Sequence, residues 1–405
     1  MTTFLLLIIY LAFISLGLPD SILGAAWPAM RPDFGAPLET AGYLFMTIAG
    51  GTIISSLGSG KVLKRFGAGK VTFVSVLMTA GALLGFHFAP SVAWLIVCAI
   101  PLGLGAGAVD AGLNDYVATH YKAHHMSWLH CFWGVGATLG PIIMAQFILE
   151  ENAWRSGYLV ISVLQFALVI ILLFTLPLWN RVTKGNNITL NEGQEAAKVA
   201  QYDEEDVKDV KPLQIKGVKL ALASFLFYCA VEATVGLWGS SFLVNVKELS
   251  PATAAKWVSL YYAGITIGRL ITGFITFKMT NRTLMRVGQI IALTGAIVLV
   301  LPLPSIFSLV GFIIVGLGLA PIFPCMLHET PTRFGKKHSQ TIMGYQMAVA
   351  YTGTTFMPPL LGFIASQSTI GIFPICVAMF VLAMILSSEK LNSLLKTKLL
   401  LTARQ

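Results

Sequence analysis

No Asp, Glu, Lys or Arg interrupts the chain from Val71 to Val109, a segment long enough for nearly two crossings of a bilayer at ~20 residues each. Similar apolar runs recur along the whole sequence. Of 405 residues, 56% are hydrophobic and 11% charged, with a mean hydropathy of +0.77, whereas soluble domains carry about 25% charged residues. Such a chain is a polytopic, all-α membrane protein, and its few polar residues become informative because burying them in a bilayer is costly.

Breaks at charges, prolines and glycine clusters predict twelve helices, at about 3–28, 38–60, 70–89, 91–119, 126–149, 154–179, 218–246, 253–277, 284–302, 305–328, 338–366 and 370–388. Phe88-Ala89-Pro90 marks the turn between the third and fourth. From Asn180 to Gly217 the chain is polar, contains Asp203-Glu-Glu-Asp206 followed by lysines, and has no run of spanning length, which reads as a linker. The predicted organisation is a six-helix bundle over 1–179, a cytoplasmic linker over 180–217, a second six-helix bundle over 218–390 and a cytoplasmic tail over 391–405. Leucines alternating with lysines make the tail an interfacial helix. The opening Met-Thr-Thr-Phe lacks a basic segment, and no small-residue cleavage site follows, so the first span is expected to stay.

Basic residues orient this plan. With both termini cytoplasmic, all 27 Lys and Arg fall on the inner side except Arg31, Arg155, Lys247, Lys256 and the intramembrane Arg269, as the positive-inside rule requires. Topology therefore accounts for the net charge of +9 without a nucleic-acid surface, and the expected location is the cell membrane, the inner one in a Gram-negative cell. The five cysteines sit in apolar runs without Cys-x-x-Cys spacing, which fits packing rather than a disulfide framework or zinc site. Gly60-Lys61 and Gly69-Lys70 lack the other residues of a phosphate loop, and the sequons at Asn187 and Asn281 fall on the cytoplasmic side. No nucleophile, base and orienter come together, so neither an enzyme nor a bound metal or cofactor is expected.

The halves look related. At an offset of 217 residues, Gly51, Lys61 and Arg65 align with Gly268, Lys278 and Arg282; Gly103-Leu-Gly matches Gly316-Leu-Gly nearby, and Gly140-Pro141 resembles Pro358-Pro359. Two related halves flanking a cavity are a transporter's architecture.

Against this background the embedded polar groups are the candidate site. Asp110 and Asn114 lie four apart in a glycine-rich helix, one turn above the other on a shared face, with Asp115 about 100° away. They either bind a ligand or staple helices together. Asp20, after Leu18-Pro19, has no basic neighbour in its helix, and an acid in low dielectric without a cation suits reversible protonation near neutral pH. Glu232 is the corresponding acid of the second half and is open to three roles: binding hydroxyls, accepting a proton or pairing with a neighbour. Arg269 reads as a structural ion pair or a snorkelling side chain near a helix end. Lys64 and Arg65 lie in the loop after the second helix as structural or gating groups. His130 and Trp133, with Trp238, Tyr262, Gln346 and Tyr351, suit a sugar, because aromatic faces cover C–H surface while amides and acids bind hydroxyls. The same groups also suit helix packing.

Twelve spans in two halves, Gly60-Lys-Val-Leu-Lys64-Arg65-Phe-Gly67 after the second helix and Gly-Pro in the fifth together resemble the major facilitator superfamily. Within it, Leu18-Pro-Asp20 resembles the Leu-Asn-Asp of the L-fucose/proton symporter (sugar permease) family, and Asp110-Ala-Gly-Leu-Asn114 its Glu-x-x-x-Asn. The resemblance implies two pseudo-symmetric bundles and assigns proton coupling and substrate binding to Asp20 and Asp110. Two departures stand out: Asp110 is one methylene shorter than Glu, and Lys64 stands where the superfamily loop usually has an acid. The expected function is proton-coupled symport of a sugar or similar small polyol by alternating access, in a monomer whose partners are that small molecule and the lipid bilayer. The alternatives are a proton-driven multidrug exporter, with Glu232 as the acid for cationic drugs, and a non-transporting sensor or scaffold, disfavoured because buried acids are costly without a use.

Overall fold

The computed structural model describes residues 2–121, 123–151, 153–197, 212–275 and 278–402. Among them every long element is a helix, and twelve helices are long and apolar enough to cross a membrane. The first half comprises α1 (Thr2–Phe34), α2 (Thr40–Phe66), α3 (Ala68–His87), α4 (Val92–His120), α5 (Ala123–Glu151) and α6 (Trp154–Ala197). The second comprises α7 (Val218–Asn245), α8 (Pro251–Ile275), α9 (Asn281–Val300), α10 (Ser305–Leu319), α11 (Ile322–His328), α12 (Thr330–Phe334), α13 (Lys336–Gln367) and α14 (Phe373–Thr402). The turn expected at Phe88-Ala89-Pro90 separates α3 from α4.

Where the helices depart from the sequence reading, local chemistry explains it. The tenth span is broken at Ala320-Pro321 into α10 and α11, because Pro321 has no N–H to donate and its ring clashes with the carbonyl a turn earlier. Conversely, α1 runs through Pro28 and Pro32 to end before Gly35, whose φ of +54° favours glycine. The sixth helix continues past 179 to Ala197, and the tail is continuous with the twelfth span as far as Thr402. Gly67, at φ +81°, turns the chain between α2 and α3, its N–H bonded to the Leu63 carbonyl.

The repeat is real at the level of packing. In the first half α1 packs on α5 and α6, α2 on α4, and α3 on α4 and α6; in the second, α7 packs on α13 and α14, α8 on α10, and α9 on α10 and α14. The glycine signatures divide their work identically. A side chain at Gly103 would collide with Ile48 of α2 and one at Gly105 with Ser75 of α3, while Gly316 sits on Tyr261 of α8 and Gly318 on Ala292 of α9. Across the halves α1 meets α7, α5 meets α8 and α2 meets α13, an arrangement with an approximate two-fold axis.

Short turns reverse successive spans within each half, and α1 begins and α14 ends on one face, called here the terminal face. The halves also close on each other toward the opposite face. There Gly24 lies on the Gly236 carbonyl and Gly42 on Pro359, with the Trp238 ring filling space beside Gly42 and Gly362. At that same face Arg155 bridges to Asp33 at 2.8 Å while Trp154 donates its Nε1–H to the same carboxylate at 2.7 Å, tying the end of α1 to the start of α6.

Candidate substrate and proton site between the bundles

Asp20 lies midway along α1, yet its side chain is exposed. One turn beyond it Gly24 seals against α7, so the space that Asp20 faces opens toward the terminal face. Its Oδ2 accepts the Trp133 Nε1–H at 2.8 Å. Trp133 is placed for this by close backbone contact: Gly17 of α1 sits against the Trp133 carbonyl, leaving no room for a Cβ.

The other face of this contact belongs to the second half. The Arg269 guanidinium lies 5.6 Å from the Trp133 ring centroid, and its Nη2 bonds Glu232 Oε1 at 3.3 Å. Tyr261 donates its hydroxyl to the Glu232 backbone carbonyl at 3.2 Å, and Tyr262 meets Trp133 edge-on at 6.4 Å. A continuous set of contacts, Asp20 to Trp133 to Arg269 to Glu232, thus joins α1 and α5 to α8 and α7. Both members of the ion pair retain some exposure, 15% for Arg269 and 23% for Glu232, so they border the same cavity rather than a dry core.

Asp110 and Asn114 occupy a second wall. Asn114 Nδ2 donates to Asp110 Oδ1 at 2.9 Å and to the Asp110 backbone carbonyl at 2.9 Å, as their four-residue spacing predicts. Both are partly exposed. Asp20 lies within electrostatic reach of both Asp110 and Glu232, and Tyr351 of α13 stands beside Asp110 and Ser56. His130 packs edge-on against Phe13 at 6.0 Å, within reach of the Arg269 charge.

The structure therefore brings together Asp20, Asp110, Asn114, His130, Trp133, Glu232, Tyr262, Arg269 and Tyr351. It leaves out others. Trp238 is fully buried in the seal at the opposite face, its Nε1–H donated to the Pro358 carbonyl at 2.7 Å. Gln346 is buried elsewhere, accepting from the Thr330 hydroxyl at 3.0 Å. Lys64 and Arg65 are exposed at the terminal-face end of α2, with Arg65 over the Phe66 ring at 5.4 Å. Sequence reasoning missed Tyr228, which is beside Glu232 and Arg269, and Thr266, which packs on Gly134. Both were findable: Tyr228 precedes Glu232 by four on α7, and Tyr262, Thr266 and Arg269 follow the i, i+4, i+7 spacing of one face of α8.

Chemically, the cavity sets three carboxyls against one guanidinium, flanks them with an amide and lines them with aromatic edges. It can hold hydroxyls, and it can hold a proton at a group that both halves feel. Two like bundles around a polar midpoint cavity define a membrane transporter. A family model described as Major Facilitator Superfamily matches residues 9–351 and 220–391, and the chain belongs to that family.

Relatives are similar at modest identity. The glucose/mannose transporter GlcP of Bacillus subtilis is 26% identical over 283 residues, 68% of this chain and 67% of that protein. The efflux pump DEP3 of Alternaria brassicicola is 32% identical over 147 residues, 35% of this chain and 26% of that protein. The inward-open structure of the xylose transporter XylE from E. coli superposes with a TM-score of 0.76 at 13% identity, covering 96% of each chain, a likeness of fold.

Proposed function

We propose that this major facilitator transporter is a proton-coupled symporter of a sugar or similar small polyol, with both termini cytoplasmic. The observation that carries the reading is the contact chain from Asp20 through Trp133 and Arg269 to Glu232. Ionised Asp20 accepts the indole N–H; protonated, it becomes a donor and a weaker acceptor. The strength of a bond within the first half then depends on that proton, and its other member, Trp133, is the ring that meets Arg269 and Tyr262 of the second half; coupling requires such a link, because a ligand, here H+, shifts a conformational equilibrium only by binding its two states unequally. Asp110 and Asn114 supply the hydroxyl-binding pair: both Asn114 N–H donors are taken by Asp110, which leaves the second carboxylate oxygen and the amide oxygen to accept from ligand hydroxyls. Trp133, Tyr262 and Tyr351 supply ring surface for C–H groups. Resemblance to a glucose/mannose transporter over two thirds of the chain supports the substrate class.

Drug export is the second reading, favoured by the efflux-pump match and by the excess of acids in the cavity. Purified protein in liposomes separates the two. Radiolabelled D-glucose or D-xylose should accumulate under an imposed pH gradient and leak out on adding a protonophore. Extrusion of a lipophilic cation such as ethidium with no sugar uptake would overturn the symport reading.

A further inference from the structure

At the face opposite the termini a cleft of about 400 Å³ lies between the halves, apart from the central cavity. Arg31, Leu38 and Glu39 line it from the first half, and Asn245, Gln367 and Thr369 from the second. The size falls in the range of small-molecule sites, ~300–1,000 Å³. Two walls are fixed by internal bonds: Arg31 Nε donates to the Ala36 carbonyl at 3.1 Å, and Asn245 Nδ2 to the Ser241 carbonyl at 2.7 Å. One group is left unmatched. Glu39 Oε2 is buried without a hydrogen-bond partner among the described residues, a costly state for a carboxylate.

The lining states the ligand's chemistry. One guanidinium and one carboxylate cancel, the second half adds amides and hydroxyls, and Pro37, Leu38, Ala365 and Ile370 supply apolar surface for C–H groups. We infer that this cleft is a second binding site, for a neutral polyhydroxylated ligand of the class proposed for the central site; the ligand class rests on that reading. Its walls come from opposite halves, so it exists as built only while this face is shut. A polyol bound there holds the face shut and inhibits transport from that side at high concentration.

The test is equilibrium dialysis of the purified full-length chain with radiolabelled D-glucose, D-xylose and myo-inositol at millimolar concentration. The wild type should bind two molecules of at least one of them. Glu39→Ala should weaken one of the two sites tenfold or more, and Gln367→Ala, at the other wall, should do the same if Glu39→Ala does not fold. Asp110→Asn should leave the Glu39-dependent site intact. Binding at a single site that neither Glu39→Ala nor Gln367→Ala alters overturns the inference while leaving the central-site reading standing. A Glu39-dependent site without an Asp110-dependent one supports the inference and overturns the central reading instead. No binding of any of the three overturns both, and displacement by glycine as readily as by sugar overturns the assignment to neutral polyols.

Discussion

Asp20 accepts an indole hydrogen bond from Trp133, and on the proposed symport its substitution should separate coupling from binding. Asp20→Asn mimics the protonated acid, so pH-gradient-driven accumulation is expected to fall to background while exchange of labelled for unlabelled substrate continues in the same vesicles. Accumulation at the wild-type level would remove Asp20 from the coupling step. Asn114 poses a different question, because its amide is already bonded to Asp110. Loss of one buried hydrogen bond costs ~1–3 kcal/mol, roughly one to two decades in affinity. Asn114→Ala should therefore weaken substrate binding about 10- to 100-fold with little change in melting temperature. A lower melting temperature at unchanged affinity would make the pair a staple between helices.

Within single elements, the geometry of the helix decides what the sequence can disclose. Four-residue spacing by itself puts Asp110 and Asn114 on one face, and the pairing of Gly103-Leu-Gly with Gly316-Leu-Gly signals how α4 and α10 wedge between their neighbours. Residue type alone groups Trp238 and Gln346 with the site. Trp238 follows Glu232 by six residues, about 120° away around α7, and Gln346 precedes Tyr351 by five, about 140° away around α13, so neither pair shares a face. Which face of one helix meets which face of another is set by tertiary packing, so nothing in the sequence places Ser56 beside Tyr351, or Arg269 over a ring from the other half. The glycine wedges carry their own prediction. Overpacking costs ~1–3 kcal/mol or more, and a side chain at Gly103 meets the backbone of Ile48, which cannot rotate aside. Gly103→Val should lower the melting temperature or abolish expression, whereas Gly81→Val, at a glycine facing open space, should leave the melting temperature unchanged.

For the whole molecule, the seal at one face and the cavity toward the other make alternating access testable by geometry. A Cβ on Gly42 would lie 3.3 Å from that of Pro359, near the ~3.5–4.5 Å that a disulfide spans. Cysteines at both positions, in a cysteine-free background, should crosslink under mild oxidation, stop transport and recover on reduction; continued transport by the crosslinked protein would show that this seal need not open. Cysteines introduced singly at Asn187 and Ser368 should label with an impermeant reagent from opposite sides of the membrane, and equal labelling from outside would overturn the cytoplasmic placement of the termini. The break at Pro321 bears on the path of the tenth span. α10 is wedged against α8 and α9, but α11 is a separate seven-residue segment with no continuous backbone ladder to α10. Ile322, Cys325 and Met326 of α11 are nonetheless buried, and α11 packs on α9 and α7, so the break redirects the tenth span at its terminal-face end without freeing it from the second bundle.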